Sequence, residues 1–158
     1  METNRLQLAL NVADLEKAID FYTQMFGVEL NKRKPGYANM IIQNPPVKLC
    51  LFEKPESANR VNHLGVEVFD DATIDEAASR LEAANINHTM EKEEVCCFAA
   101  QNKVITHDPD GSMWEYYRVL SDSETFYANG ADKRQGDSAC SAEGSSEAAV
   151  VSESDCCS

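Results

Sequence analysis

The sequence predicts an α+β fold in which two tandem βαβββ modules form a curved, open sheet around a cleft. The chain has 158 residues, enough for one domain with its own core. An alternating strand pattern occurs twice, at residues 6–12 and 62–68. An amphipathic helix pattern follows each of these strands, and shorter strand patterns follow each helix. We therefore place the two modules at about residues 5–55 and 61–120.

The first module begins with a strand whose alternation puts Gln7, Ala9 and Asn11 on one face. In the helix that follows, Asp14 is placed to cap the start and Gly27 to end it. Its residues at core spacing are Leu15, Ala18, Ile19, Tyr22, Met25 and Phe26. Three strands are then predicted at about residues 29–33, 37–43 and 48–52, separated by proline-containing turns at residues 35–36 and 44–46.

The second module repeats this order, and its first strand puts His63, Gly65 and Glu67 on one face. Its helix carries apolar residues at positions 74, 77, 78 and 81, and Thr73 with Glu76 fit a capping box. The strand patterns that follow lie at about residues 88–92, 97–100, 104–107 and 114–119, with turns predicted at Asn102 and at residues 108–111. Residues at matching positions of the two modules would face each other across the cleft.

The composition changes after Leu120. Residues 121–158 are mainly Ser, Ala, Gly, Asp and Glu, which predicts an acidic, flexible tail beyond a domain at residues 1–120, with residues 125–127 as the last contact. The net charge of −13 disfavours nucleic acid and anionic membranes as partners, because both would be repelled. The sequence shows no apolar run of transmembrane length and no signal-peptide profile, so we expect a cytoplasmic protein.

Six cysteines in a reducing compartment favour metal, metalloid or redox chemistry over a disulfide framework. Cys96 and Cys97 are adjacent, and such neighbours rarely pair with each other because the ring is strained. They can instead hold a soft, thiophilic centre from two sides. The alternative is two small apolar residues that fill a strand. A second pair, at residues 156–157, is either an accessory trap together with Cys140 or a chance feature of the tail. Cys50 is predicted to be a core residue.

Five stretches carry a resemblance to a known family. They are residues 8–12 (LALNV), 32–39 (KRKPGYAN), 62–68 (NHLGVEV), 96–99 (CCFA) and 114–115 (WE). Together they resemble the vicinal oxygen chelate superfamily of glyoxalases and extradiol dioxygenases. Within it they are most similar to bacterial carbon–arsenic lyases and cadmium-induced proteins. The resemblance implies paired βαβββ modules around a metal-binding cleft. Such modules pair within a chain or between chains, so a homodimer is a possible assembly.

The resemblance implies a metal site formed by Gln7, His63 and Glu115, with Fe(II) as the cofactor. Many relatives place histidine where this chain has Gln7. A glyoxalase would supply a fourth ligand from the strand at residues 48–52, where we expect leucine at the equivalent position. Three ligands on one face favour oxygen chemistry over isomerisation. The alternatives are structural: Gln7 as a polar strand residue, His63 as a hydrogen-bonded core histidine and Glu115 as a solvated carboxylate.

The implied activity is Fe(II)- and dioxygen-dependent cleavage of the carbon–arsenic bond in trivalent organoarsenicals, methylarsenite and aromatic arsenicals among them. Arsenite would be released, and the role would be detoxification. Cys96 and Cys97 would bind the arsenic, and a mobile loop at residues 91–95 would carry them toward the metal. One alternative is a protein that sequesters soft ions without turnover. Another is a glyoxalase or a thiol transferase to an antibiotic, neither of which explains the adjacent thiols.

Overall fold

The computed structural model describes residues 3–128, and these form an eight-stranded sheet with two helices. The first module contains β1 (Arg5–Val12), α1 (Leu15–Phe26), β2 (Leu30–Lys34), β3 (Tyr37–Ile42) and β4 (Val47–Glu53). The second contains β5 (Val61–Glu67), α2 (Asp71–Ala83), β6 (His88–Cys96), β7 (Ala99–His107) and β8 (Met113–Asp122). The predicted order βαβββ therefore occurs twice, and the predicted fold class is confirmed.

The two modules are joined at the centre of the sheet. The strand order is β2-β3-β4-β1-β5-β8-β7-β6. In each module the first strand pairs in parallel with the last one, β1 with β4 and β5 with β8. The modules meet where β1 pairs antiparallel with β5. This arrangement places the two strands that start the modules side by side, with β8 as the next neighbour.

The helices pack on one face of the curled sheet. Leu15 and Ile19 of α1 pack with Met40, Leu49 and Leu51 of the first module. On α2, Ile74 and Ala77 form a separate cluster with Val68 and Val104. Because neighbouring strand residues point to opposite faces, the residues between these apolar positions point to the other, concave face of the sheet.

The helix caps follow the sequence prediction in α1 and depart from it in α2. Asp14 accepts a hydrogen bond from the amide of Lys17 at 3.0 Å, and Gly27 ends the helix at φ 62°. In α2 the predicted capping box of Thr73 and Glu76 is wrong. Asp70 caps the helix and accepts from the amide of Thr73 at 2.8 Å. Aspartate is as good an N-cap as threonine or better, so the helix starts earlier than predicted.

The region around the adjacent cysteines also differs from the prediction. The expected strands at residues 97–100 and 104–107 are one strand, β7, and the turn predicted at Asn102 does not form. Instead, Asn102 lies inside β7, where its side chain accepts from the amide of Glu93 at 2.9 Å and donates to Asp71 at 3.0 Å. Residues 91–95 belong to β6 rather than to a loop, although the strand is bulged between Glu91 and Glu94.

Within residues 3–128 the structure contains no helix that is long and apolar enough to cross a membrane.

Candidate functional site

Three side chains from three neighbouring strands meet on the concave face of the sheet. Gln7 lies on β1, His63 on β5 and Glu115 on β8, and each is at most 5% exposed. The distance from Gln7 Nε2 to His63 Nε2 is 2.9 Å, and to Glu115 Oε1 it is 3.1 Å. His63 Nε2 lies 3.3 Å from Glu115 Oε1. The structure thus brings together all three side chains that the resemblance singled out.

A glycine makes room for this trio. Gly65 pairs with Gln7 on one side and with Glu115 on the other. A Cβ atom at Gly65 would lie 3.0 Å from Glu115 Cγ and 3.5 Å from Gln7 Nε2. Contacts as short as 3.0 Å force a neighbour to shift. The bare backbone at this position is therefore a local reason why the glutamate can stand beside the glutamine.

Each member of the trio is held by a further buried group. Asn62 Oδ1 lies 2.8 Å from His63 Nδ1, which leaves Nε2 facing the other two side chains. The Lys103 ammonium lies 3.4 Å from Glu115 Oε2. The side-chain amide oxygen of Gln7, Oε1, accepts hydrogen bonds from the Tyr117 hydroxyl and from the Cys50 thiol. In metal sites, contacts of this kind hold the ligating side chains in the orientation that the metal needs.

The spacing of the trio fits a divalent metal. Nitrogen and oxygen ligands lie about 2.0–2.2 Å from an ion such as zinc, so ligands at right angles are about 3 Å apart. The observed separations of 2.9–3.3 Å match this. To bind a metal, the side-chain amide of Gln7 must rotate so that Oε1 and Nε2 exchange places. Nε2 now faces the other two side chains, and only Oε1 can bind a cation. Within residues 3–128 no group of three or more His, Cys, Asp or Glu side chains is arranged to hold a metal. The trio does not count as such a group, because its third member is a glutamine.

The trio opens into a cavity of about 300 Å³ on the concave face. The cavity reaches the hairpin that joins β6 to β7, where Cys97 forms part of its wall. Polar groups dominate the rest of the lining. They are Asn31, Lys32, Asn39, Lys48, Glu67, Gln101 and Asp122. A small polar molecule can therefore contact the trio and the Cys97 side of the hairpin at the same time.

The adjacent cysteines form a tight turn rather than part of a strand. Cys96 ends β6, and Cys97 and Phe98 are the two central residues of the hairpin, with φ values of 57° and 61°. Positive φ at both positions is typical of type I′ turns, where Asn-Gly is the usual sequence. The two sulfur atoms lie 3.1 Å apart. Both thiols consequently lie on the same side of the turn, close enough for one atom to bridge them.

Aromatic rings surround the turn. Phe98 packs against Tyr37 with a centroid separation of 5.6 Å and against Phe126 with one of 5.3 Å. Phe126 also contacts Phe52 at 6.0 Å, and Phe52 lies 6.0 Å from the His63 ring. Phe126 belongs to the segment after β8, in which Tyr127 forms a bridge with Cys96. Residues 125–127 thus contact the domain, as expected from the sequence.

Lys103 is a buried cation between the trio and the turn, and sequence reasoning missed it. It is 2% exposed on β7. Burial by itself would lower the pKa of Lys103, but its electrostatic interactions, first of all with the Glu115 carboxylate, raise that pKa above its ordinary value. The ammonium therefore keeps its charge. A lysine in the middle of a polar strand segment is normally read as exposed, so only the alternation of Gln101 and Lys103 on one face could have pointed to it.

The expected leucine at the fourth ligand position is wrong. Leu49 and Leu51 pack in the core beneath α1, whereas Lys48 and Cys50 line the cavity. The register pairs Ala9 with Cys50, as it pairs Gly65 with Glu115, so Cys50 is the first-module equivalent of the glutamate. Burial raises the pKa of Cys50 to about 11, so its sulfur stays a neutral thiol. Cys50 is buried, as predicted, yet it also contacts Gln7.

The predicted accessory thiols Cys140, Cys156 and Cys157 lie outside the described residues.

Comparisons with known proteins agree with the fold. A solved Mn(II)-bound glyoxalase from Novosphingobium aromaticivorans superposes with a TM-score of 0.56 at 17% identity, over 77% of this chain and 42% of that one. Cadmium-induced protein CadI of Mycobacterium tuberculosis is 51% identical over 78% of this chain and 81% of its own length.

A third relative matches nearly end to end. The trivalent organoarsenical cleaving enzyme of Thermomonospora curvata is 41% identical over 98% of this chain and 99% of its own length. The sequence profile of the Glyoxalase/Bleomycin resistance protein/Dioxygenase superfamily matches residues 5–116, which include all three members of the trio. The chain belongs to this superfamily.

Proposed function

We propose that this protein cleaves the carbon–arsenic bond of trivalent organoarsenicals, such as methylarsenite and aromatic arsenicals, and releases arsenite for detoxification. One observation carries the proposal: Cys97 and the trio line a single cavity, and the Cys97 sulfur lies 3.1 Å from that of Cys96. Similarity to proteins named trivalent organoarsenical cleaving enzymes supports it. The activity belongs in the cytoplasm, where thiols stay reduced.

Gln7, His63 and Glu115 would hold Fe(II), and the part of the bound metal is to activate dioxygen. The protein groups around them have separate roles. Asn62 orients the His63 imidazole, and Lys103 balances the charge of Glu115. Tyr37 and Phe52 lie in the lining of the cavity and would shield the reacting carbon from water on their side. Positioning of the substrate next to the metal can lower the barrier by several kcal/mol.

The thiols would bind arsenic in a fixed order. Cys97 lines the cavity, while Cys96 is only 5% exposed behind it, so Cys97 binds first. Each thiol replaces one hydroxyl group of the arsenical: a sulfur–arsenic bond forms, an arsenic–oxygen bond breaks, and the thiol proton leaves with the hydroxyl as water. Arsenic stays trivalent throughout. The sulfur separation of 3.1 Å lets the second exchange follow without movement of the backbone.

The aromatic wall would accept the organic group. Phe52 lines the cavity, and its ring lies 6.0 Å from both His63 and Phe126. An aryl group on thiol-bound arsenic can stack on these rings, and aromatic pairs contribute about 0.5–1.5 kcal/mol beyond their buried area. The wall therefore favours aromatic over methyl arsenicals.

The test is anaerobic reconstitution with Fe(II), followed by air and methylarsenite and by speciation of the released arsenic. We expect arsenite to form only when both iron and dioxygen are present. Cys96→Ser and Cys97→Ser should each abolish cleavage and leave the iron content unchanged. The double variant Cys156→Ser/Cys157→Ser is the matched control, because it removes an adjacent pair far from the domain in sequence. Cleavage that persists in both single variants would contradict arsenic binding at this turn.

A protein that sequesters soft ions without turnover is the second candidate. The short sulfur separation and the similarity to cadmium-induced proteins favour it. Oxygen uptake separates the two functions. Tight binding of methylarsenite, with neither oxygen consumption nor arsenite release by the iron-loaded protein, would establish sequestration.

A further inference from the structure

Gln101 carries a buried acceptor that the fold does not use. The residue is 5% exposed on β7. Its Nε2 donates to the backbone carbonyl of Cys96 at 3.0 Å, while its Oε1 has no hydrogen-bond partner among the described residues. A buried acceptor left unpaired is unfavourable, because on folding it loses its hydrogen bonds to water and gains none in return. An apolar side chain here would avoid that cost, so the amide indicates a ligand that donates a hydrogen bond.

The position of Gln101 identifies which ligand can reach it. Ala99, Gln101 and Lys103 alternate along the cavity face of β7, and Lys103 contacts Glu115. Gln101 thus lies between the cysteine turn and the trio, and it lines the same cavity as Cys97. Because Gln101 Nε2 donates to the backbone carbonyl of Cys96, the side-chain amide cannot exchange the places of Oε1 and Nε2 without losing that hydrogen bond. Oε1 therefore remains an acceptor beside any group bound to the thiols.

We propose that Gln101 Oε1 accepts a hydrogen bond from a hydroxyl group on the thiol-bound arsenic. Gln101 would then distinguish inorganic arsenite from organoarsenicals. The inference rests on the proposed function. Trivalent arsenic has three substituents. When inorganic arsenite, As(OH)₃, exchanges two hydroxyls for the two thiols, two sulfur–arsenic bonds form and two waters leave with the thiol protons. One hydroxyl remains to donate to Gln101.

Organoarsenicals with one carbon substituent differ at this point. Once both thiols are bound, arsenic carries two sulfurs and one carbon, and no hydroxyl is left for Gln101. The contact exists only while a single thiol is bound. Gln101 therefore contributes to the equilibrium affinity for arsenite, which is the reaction product, and not to that for the doubly bound substrate.

The test compares two probes in the full chain, inorganic arsenite and phenylarsonous acid. All variants carry Cys156→Ser and Cys157→Ser, so that the tail pair does not contribute. Gln101→Met should raise the dissociation constant of arsenite about fivefold to tenfold, the effect of one hydrogen bond. The constant for phenylarsonous acid should change less than about twofold. Equilibrium dialysis with arsenic analysis gives both values, and Gln24→Met on the exposed face of α1 is the control.

Two outcomes would overturn the inference. Equal weakening of both probes would mean that Gln101 acts only through the Cys96 carbonyl, and no change for either would mean that its acceptor meets only water. Binding of both probes that is insensitive to Cys97→Ser would overturn the proposed function instead.

Discussion

Gly65 shows how one missing side chain shapes the candidate metal site. Its Cα faces both Gln7 and Glu115, and the nearest side-chain atom to an added methyl group would be Glu115 Cγ. The Glu115 backbone carbonyl would lie only 3.1 Å away, so the strand cannot simply accommodate the methyl group. The position tolerates no Cβ without displacement of a proposed ligand.

Gly65→Ala should therefore weaken metal binding and lower the free energy of unfolding. Overpacking of a well-packed interior costs about 1–3 kcal/mol. We expect a loss of stability in this range by denaturant unfolding of the metal-free protein, together with weaker Fe(II) binding in an anaerobic titration. Ala72→Ser, on the surface of α2, is a control of similar added size. An Fe(II) affinity of Gly65→Ala equal to that of the parent would show that metal binding does not depend on the present position of the Glu115 side chain.

His63→Ala should remove stoichiometric iron. The imidazole is 3% exposed and its Nε2 lies 2.9 Å from the Gln7 amide, so its removal takes away one of the three candidate ligands. Metal analysis after anaerobic loading and gel filtration measures the effect. His107→Ala is the control, because His107 is an exposed histidine at the end of β7. An unchanged iron content in His63→Ala would rule out the ligand assignment.

At the level of elements, the β6–β7 hairpin depends on a contact from the other module. Lys32 of β2 donates to the carbonyl of Phe98 at 3.2 Å and pairs with Asp122 at the end of β8. Its side chain is 18% exposed, so this ammonium is better shielded than most surface lysines. The contact holds a turn whose two central residues adopt left-handed backbone conformations. Such conformations persist only where their surroundings support them.

Lys32→Met should loosen the cysteine turn without unfolding the domain. A hydrogen bond to a charged group contributes about 1.5–3 kcal/mol, so we expect amide exchange at residues 97–99 to become at least about tenfold faster. Native-state hydrogen exchange followed by mass spectrometry measures it. Arg33→Met is the control on the same strand, because its ion pair with Glu16 is exposed and such pairs contribute little. Equal exchange in the two variants would contradict a role for Lys32.

The sequence predicts the helices and most strands because their patterns agree with their surroundings. Residues 6–12 and 62–68 alternate cleanly, and the shared phase of Gln7 and His63 places both on the concave face. The sequence pattern divides strand β7 in two because Gln101, Asn102 and Lys103 form a polar run with a turn-forming residue in its middle. Only the tertiary structure shows that two of these three side chains, Gln101 and Lys103, are buried.

The adjacent cysteines illustrate a different limit. Their importance follows from composition, but their geometry does not. Cys-Phe is an unusual pair for the centre of a two-residue hairpin, where Asn-Gly is expected. The turn is supported by rings from β3 and from the segment after β8, which are distant in sequence. Local preference therefore could not predict it.

For the molecule as a whole, two adjacent thiol pairs lie in one chain, at residues 96–97 and 156–157. Because any accessible pair of neighbouring thiols can bind trivalent arsenic, we expect the full chain to bind two equivalents of phenylarsonous acid. Cys156→Ser/Cys157→Ser should bind one equivalent and keep the full rate of cleavage. Mass spectrometry of the intact adducts counts the equivalents. A lower rate in this variant would give the tail a part in catalysis. The homodimer stays a prediction that sedimentation measures.

The proposed metal site also has a fixed place in the order of synthesis. Gln7 and Glu115 are separated by 108 residues, and the two strands that carry them are connected only through β5. Domains form as their chains leave the ribosome, N-terminal parts first. A nascent chain that ends before β8 has Gln7 and His63 but lacks the carboxylate. Under the proposed function, iron loading would wait until nearly the whole domain has emerged, and a truncated translation product would lack the complete set of three ligands.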